Sequence, residues 1–293
     1  MYPCAVGPSD RPITEAPKAA FPMVQMAWYL ALLIALFFPV LANMVHEWAT
    51  MEEMGHGFFV PLVAGCIIWQ DRERILSQPV KPCLPAAILI VWGFFQMILG
   101  FLGADFFVAR TAFLISLVGV VWTLAGTAVL RTLVFPFCML LFMIRIPLFV
   151  YQQMTFPLQI LASKLATALL EGLSVPVLRD GNILDLPNQR LEVIEACSGI
   201  RSLLSLTFLA LTYAYFFDRR KWMRALLFVC SIPIAIAANA IRIMFTGVLS
   251  EYSPRLAEGF FHSFEGWVLF MVALAALVAT HRLICRVRRP VHA

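Results

Sequence analysis

Three residues in the C-terminal third of the chain have the chemistry needed for acyl transfer: Cys197, Arg242 and His262. A thiolate is the nucleophilic form of cysteine, and a nearby cation or helix N-terminus lowers the pKa of a thiol. Histidine can protonate a leaving amine and then deprotonate an incoming nucleophile. Arginine can stabilise the oxyanion of a tetrahedral intermediate. If the fold brings these residues together, they predict acyl transfer through a thioester.

Each of the three also has an ordinary structural explanation. Cys197 could be an inert, buried membrane cysteine, and His262 a common loop histidine. Arg242 stands about seven residues before the outer end of an apolar run. Because an α-helix rises about 1.5 Å per residue, this places Arg242 roughly 10 Å below the membrane surface. A cation at that depth costs several kcal/mol. It would therefore reach outward to water or pair with an acidic residue such as Glu195 or Glu251 if it had no catalytic role.

Three neighbouring residues are candidates for supporting roles. Asn239 shares a helical face with Arg242 and can orient its guanidinium or bond a neighbouring helix. Arg201 follows Cys197 by four residues, so it either holds the thiolate or a substrate carboxylate, or it is an interface arginine. Glu265 either orients the imidazole of His262 or is a capping or surface charge. Ser198 is an alternative nucleophile, but no Gly-x-Ser-x-Gly elbow surrounds it.

The elements that must position these residues are membrane helices. The chain is 61% hydrophobic and only 13% charged, with a mean hydropathy of +0.86. This composition excludes an ordinary soluble domain and indicates an all-α polytopic membrane protein. The net charge of +5 does not indicate a nucleic-acid binder, because the basic residues form short clusters between apolar runs. About eight spans are predicted, near residues 24–45, 58–69, 84–103, 106–126, 133–151, 200–217, 225–249 and 264–284.

The basic clusters predict the orientation of these spans. They follow the second, fourth, sixth and eighth spans, so the positive-inside rule places both termini in the cytoplasm. The predicted domains are a cytoplasmic tail at 1–23 without a secretory signal peptide, a membrane domain at 24–284 and a basic cytoplasmic tail at 285–293. The main outer segment is 152–199. Cys197, Arg242 and His262 then approach one membrane face from three consecutive spans.

The outer segment predicts two small elements before Cys197. Leucines at helical spacing over 158–172 indicate a helix on the membrane surface. Asp180-Gly181 between apolar flanks then predicts a β-hairpin or a three-stranded meander. Among the seven cysteines of the chain, only Cys197 faces outward in this topology, so it has no intrachain disulfide partner on its own side. A lone outward thiol at a helix start is a candidate reactive group.

The motifs EACSGIRS, NAIRI and FHSFEGW occur in this order on three consecutive spans, around Cys197, Arg242 and His262. In order, spacing and membrane position they resemble the exosortase/archaeosortase family of membrane cysteine transpeptidases, over about Val24 to Ile284. The resemblance implies that the three residues are catalytic. His56-Gly57 and the outer segment LRDGNILDLPN also look like this family, which makes His56 a further supporting candidate.

The resemblance further implies the substrates. These are exported proteins with a C-terminal sorting signal of the Pro-Glu-Pro type, followed by a transmembrane helix and a basic tail. A cell-envelope acceptor or water would resolve the thioester. The bacterial, exopolysaccharide-associated branch fits best, which implies the inner membrane with the active site facing the periplasm. The expected partners are these substrates, membrane lipid and an unknown envelope acceptor, but no nucleic acid.

Neither a cofactor nor a metal is predicted. His46, Glu47 and His56 crowd the first outer loop, but Thr50 stands where a second histidine of an HExxH motif would fall. A solvated loop is preferred there. Two rival functions remain open: a transporter or polysaccharide-export component, in which Arg242 and Asn239 would line a pathway, and a catalytically inactive scaffold.

Overall fold

The computed structural model describes residues 21–187, 190–193, 199–218, 220–252 and 260–287, with the backbone alone for Glu52, 251–252 and 260–265. The described chain is mostly α-helical and contains one small antiparallel sheet. It divides into two compact units. The first unit runs to Asn43 and resumes over Ala64–Cys138, and the second consists of Met44–Val63 and the chain from Met139 onward.

Eleven α-helices, three short 3-10 helices and three strands make up the described residues. The α-helices are α1 (Met23–Leu36), α2 (Phe38–Thr50), α3 (Phe59–Gln70), α4 (Arg72–Leu76), α5 (Ile88–Leu102), α6 (Phe106–Ala125), α7 (Thr127–Leu140), α8 (Leu148–Gly172), α9 (Ile200–Phe217), α10 (Lys221–Tyr252) and α11 (Phe260–Val287). The 3-10 helices occupy Glu52–Phe58, Leu84–Ala87 and Leu141–Met143. The strands are β1 (Leu178–Asp180), β2 (Ile183–Asp185) and β3 (Arg190–Glu192).

The helices confirm a multi-pass, all-α membrane protein. Within the described residues, five helical segments are long and apolar enough to cross a membrane: Leu84–Leu102, Phe106–Ala125, Ile200–Phe217, Lys221–Ser250 and Gly266–Val287. Two bent helix pairs, α1 with α2 and α7 with α8, raise the number to seven if each pair is one span. The sequence predicted about eight. The difference includes α3, whose twelve residues rise only about 18 Å, less than a membrane core requires.

Proline accounts for both breaks in the expected spans. The predicted first span is divided between α1 and α2, and Pro39 stands in the first turn of α2. The predicted fifth span, 133–151, is interrupted before α8, where Pro147 is the N-cap. Proline lacks the N–H that a continuous helix needs and disfavours helical geometry in the residue before it. The surface helix expected from 158 therefore starts earlier, at Leu148.

The first unit is built on close packing of α5 against α6. A Cβ atom added at Gly93 would overlap Ser116, and one added at Gly100 would lie 2.7 Å from the backbone nitrogen of Ala109. Small residues allow membrane helices to approach this closely, where apolar burial gives little driving force. Arg110 of α6 is 3% exposed and donates a 2.7 Å hydrogen bond to Asn43 Oδ1, which satisfies one of its N–H groups inside the unit.

The second unit is organised around α10, which contacts α8, α9 and α11. Leu206, Ala235 and Ala273 form one buried cluster between α9, α10 and α11. On α8, Gln159 and Ser163 are buried, whereas the leucines at 161, 165 and 169 are about two-fifths exposed. The predicted amphipathic pattern is therefore present, with its leucine face outward. This orientation suits a helix whose surroundings are lipid rather than water.

The sheet confirms the predicted three-stranded meander. Strand β2 pairs antiparallel with β1 and with β3, and Asp180 lies opposite Ile183 across a turn in which Gly181 has a φ of 62°. Leu184 is completely buried and packs with Leu170 of α8 and Ile243 of α10. The sheet is thereby fixed to the helices, and the chain leaves it at Val193, which is tied by backbone and side-chain bonds to Asn182.

Candidate functional site

The candidate site lies on the face of α10 that carries Asn239 and Arg242. The two residues are three positions apart and therefore adjacent on the helix surface. Asn239 is 4% exposed and Arg242 is half-buried. The apolar sequence around them keeps the helix continuous through this region. Arg242 lies inside the mostly apolar helix α10, and its depth in a membrane stays a prediction.

Gly199, which follows Cys197 by two residues, packs directly against Asn239. Its φ of 78° is in the left-handed region that favours glycine. A Cβ atom at this position would lie 2.8 Å from Asn239 Cγ and 2.9 Å from its Nδ2. Gly199 is also the N-cap of α9. This close approach fixes the start of α9 against α10.

Gly266 of α11 lies against the guanidinium of Arg242 from another side. A Cβ atom built at Gly266 would be 3.4 Å from Arg242 Cζ and 3.5 Å from its Nε. Position 262 precedes Gly266 by four residues, which is about one helical turn, within the same helix. The backbone of α11 therefore brings the segment that contains His262 to the neighbourhood of Arg242.

Two small cavities border these contacts. One is lined in part by Ser202, Asn239, Arg242, Gly266 and Phe270, and the other by residues that include Gly199 and Asn239, with Leu158 and Ala162 of α8. Each has a volume of about 10 Å³, at the lower limit for a single water molecule. Asn239 borders both of them. Ser202 was not predicted from the sequence to line the site. Its position one helical turn after Ser198 was the signal that could have indicated it.

The structure describes the surroundings of the predicted trio better than the trio itself. Cys197 lies outside the described residues. For His262 and Glu265 the description is limited to their backbone positions in α11. Arg242 is described in full. The flanking glycines at 199 and 266 thus both contact the α10 face of Asn239 and Arg242, while the convergence of the three catalytic candidates remains a prediction.

The other two supporting candidates have different surroundings. Arg201 is half-buried in the first turn of α9. His56 lies in the 3-10 helix Glu52–Phe58, where its Nε2 is 3.1 Å from the carbonyl oxygen of Phe142. Its ring is also 6.2 Å from that of Phe208, which is about 12 Å along α9 from Ile200. These contacts of His56 are with apolar parts of the second unit.

Burial sets the protonation of His56. Desolvation lowers the pKa of His56 below its usual value, and the nearby backbone carbonyls of Phe142 and Glu53 offset this only in part. The ring is therefore neutral at neutral pH, and its Nε2–H donates to Phe142. This arrangement fits a residue that joins the 3-10 helix Glu52–Phe58 to Phe142 within the second unit. It supplies no charge to the candidate site.

The geometry defines a class: a multi-pass membrane protein with a compact polar site among α9, α10 and α11. Residues 48–279, well over half of the chain, match the family model described as transmembrane exosortase (Exosortase_EpsH). The chain belongs to the transmembrane exosortase family, as its three motifs indicated. Searches among curated proteins and solved structures gave no match.

We expect Gly199→Ala to destabilise the protein by weakening the packing of α9 against α10. The left-handed backbone would cost about 1–2 kcal/mol for alanine, and the clash with Asn239 would add a packing penalty of about 1–3 kcal/mol. The measurement is the midpoint of thermal unfolding of each variant in detergent. Gly172→Ala is the matched control, because a Cβ at Gly172 meets nothing within 4 Å. Equal unfolding midpoints for the two variants would contradict the tight Gly199–Asn239 contact.

Proposed function

We propose that this exosortase-family protein is a membrane cysteine transpeptidase that processes exported proteins at their C-terminal sorting signals. The observation that carries the proposal is the contact of Gly199 and Gly266 with Asn239 and Arg242. These glycines belong to the same two motifs as Cys197 and His262. Their packing on one face of α10 supports a site in which a thiol, a guanidinium and an imidazole meet.

The proposed reaction begins with the Cys197 thiolate. Its sulfur attacks the carbonyl carbon of a substrate peptide bond, and Arg242 stabilises the resulting oxyanion. When the C–N bond breaks, His262 gives its proton to the leaving amine, and the substrate acyl group remains on sulfur as a thioester. The leaving fragment carries the transmembrane helix and basic tail of the signal.

The second half of the reaction releases the enzyme. His262, now neutral, takes a proton from an incoming amine on a cell-envelope acceptor, and the amine attacks the thioester. The C–S bond breaks and the thiolate is restored. Water in place of the amine gives a free carboxylic acid, which is simple proteolysis. Asn239, Arg201 and Glu265 are proposed to support this chemistry by orienting the reacting groups, and His56 by supporting the fold around them.

The proposed setting is the inner membrane of a bacterium, with the site facing the periplasm. The positive charges after predicted spans two, four, six and eight support this orientation. A topology with eight spans includes the segment of α3 as a short crossing at which the bilayer thins locally. The sorting signal of the substrate would then lie across the same membrane, next to the site.

The decisive experiment is capture of the thioester. Membranes that contain the full-length protein and an exported reporter with a Pro-Glu-Pro signal are quenched in acid, and the protein–reporter adduct is isolated. The proposal expects an adduct that is cleaved by hydroxylamine and absent in Cys197→Ala. An adduct that maps to another residue, or processing without any adduct at Cys197 under conditions that trap a thioester, would refute the mechanism.

The rival transporter function has one observation in its favour. Arg110 and Asn43 form a partly buried polar pair within apolar helices of the first unit, in addition to Asn239 and Arg242 on α10. Polar residues on several membrane helices are typical of a transport pathway. Transport would not require a thiol, so the transporter hypothesis predicts that a Cys197→Ala variant remains fully active.

A further inference from the structure

A second cluster of chemically reactive side chains lies at the other end of α9. Asp218 follows the last residue of α9, and His281 and Cys285 lie one turn apart on α11. Since α9 has 18 residues, this cluster is about 27 Å along the helix from Gly199. It is therefore separate from the candidate active site. No part of the proposed transpeptidase reaction uses it.

The donor atoms of the cluster converge on one point. His281 Nε2 is 3.3 Å from Asp218 Oδ2 and 3.4 Å from Cys285 Sγ. All three donor atoms lie within 4.8 Å of one another. Donor atoms bound to one tetrahedral Zn²⁺ at its usual bond lengths are about 3.2–3.8 Å apart. Two of the three separations already fall in this range, so binding requires only a small closure of the third.

Burial and an outer hydrogen bond hold the donors in place. Asp218 is 7% exposed and His281 is 8% exposed. The hydroxyl of Tyr213 on α9 is 2.9 Å from His281 Nδ1. A hydrogen bond at one ring nitrogen fixes the orientation of the imidazole and directs the other nitrogen to the site, as is usual for metal-binding histidines. In this cluster the nitrogen directed to the donors is Nε2.

A cation already contacts two of these donors. Arg220 binds Asp218 through both carboxylate oxygens, with its shortest contact at 2.7 Å, and its Nη2 is 3.3 Å from Cys285 Sγ. The Arg220 side chain is 46% exposed, so it can turn outward into solvent. Its guanidinium bridges the carboxylate and the sulfur in the way that a bound metal cation would. The cluster thus shows a preference for positive charge between Asp218 and Cys285.

We propose that Asp218, His281 and Cys285 form a binding site for a divalent transition metal of the zinc type. A carboxylate oxygen, an imidazole nitrogen and a thiolate sulfur together suit a borderline-soft ion and leave a fourth position for water. Binding releases the Cys285 thiol proton to solvent and displaces Arg220. The metal would join the α9–α10 turn to α11 at the end of the bundle opposite the candidate active site. In the predicted topology this end is cytoplasmic, where thiols stay reduced.

The probe for this site is Co²⁺, which reports thiolate ligation by a charge-transfer absorption band. The full-length, reduced protein in detergent is titrated with Co²⁺, and then Zn²⁺ is added as a competitor. One equivalent of Co²⁺ should give the band, and Zn²⁺ should remove it. Cys285→Ser should abolish the band, and Tyr213→Phe should weaken binding by about 10–100-fold, as loss of an outer hydrogen bond does. Cys230→Ser, on α10, should bind Co²⁺ like the original protein.

Co²⁺ binding by the Arg220→Gln variant distinguishes a metal site from a network held together by charge alone. If Arg220 competes with the metal, its removal should tighten Co²⁺ binding by about fivefold, the equivalent of one exposed salt bridge. If the cluster only joins the helices by charge, no thiolate band appears in either protein, and the proposal is wrong. A band that persists in Cys285→Ser also overturns it. Gel filtration and helical circular dichroism confirm that each variant is folded, and none of these outcomes depends on transpeptidase activity.

Discussion

Cys197→Ala is expected to abolish processing and to leave the full-length reporter precursor in the membrane. Alanine removes the only atom that can form the proposed thioester, so no slower route through the same intermediate is left. Cys197→Ser should be nearly as inactive, because a hydroxyl ionises far less readily than a thiol and Arg242 cannot make up that difference. The measurement is the precursor-to-product ratio on a blot of membranes, at equal amounts of each variant.

The matched control for this prediction is Cys230→Ala. Cys230 is a half-buried free thiol on α10, on the apolar part of the helix before Pro233. Its replacement tests whether loss of any membrane cysteine impairs the protein. Normal processing by Cys197→Ala would refute the transpeptidase mechanism and favour the transporter or scaffold. Loss of processing in both variants would show that the effect comes from folding and not from the nucleophile.

The second large effect is expected for Arg242→Gln, which should reduce kcat for processing by about 10²–10³-fold. Loss of one oxyanion-stabilising donor has this size in other acyl-transfer enzymes. The KM for the reporter should change much less, because the oxyanion exists only after attack. Arg242→Lys should recover only part of the rate, since an ammonium lacks the planar donor fork of a guanidinium. Initial rates in detergent at several reporter concentrations separate kcat from KM.

Arg224→Gln provides the matched control on the same helix. Arg224 lies about 27 Å earlier along α10, with its guanidinium 4.4 Å from the ring centre of Tyr215. Its replacement removes a membrane-helix arginine without touching the candidate site. If Arg242→Gln raised KM and left kcat unchanged, Arg242 would bind substrate and would not stabilise the oxyanion. Equal rates for Arg242→Gln and the original protein would exclude it from the site.

The membrane-spanning character of the chain could be predicted from composition, because a membrane helix must satisfy its backbone polar groups internally and present apolar side chains to lipid. The turn at Gly181 was also predictable, since a tight hairpin needs the positive φ that Asp180-Gly181 favours. The breaks before α2 and α8 were less evident. Pro39 and Pro147 stand inside runs that remain apolar on both sides, so hydropathy alone continues across them.

The cluster of Asp218, His281 and Cys285 was not predicted from the sequence. His281 and Cys285 have the four-residue spacing of one helical face, which is a readable signal. Their partners Asp218 and Tyr213, however, are more than sixty residues away in sequence. Nothing local in the sequence relates the end of α9 to the end of α11. That pairing depends on how α9, α10 and α11 pack together.

The sequence by itself determined the family and the membrane class and predicted the chemical groups of the candidate site, because these depend on residue types, motif order and hydropathy. The tertiary structure decided that Gly199 fits against Asn239 and Gly266 against Arg242. It also decided that a carboxylate, an imidazole and a thiol meet at the other end of the bundle. The physical reason is that these contacts depend on the relative rotation and depth of packed helices. Local residue patterns fix which face of a helix is apolar, but not which atoms of the next helix lie against it.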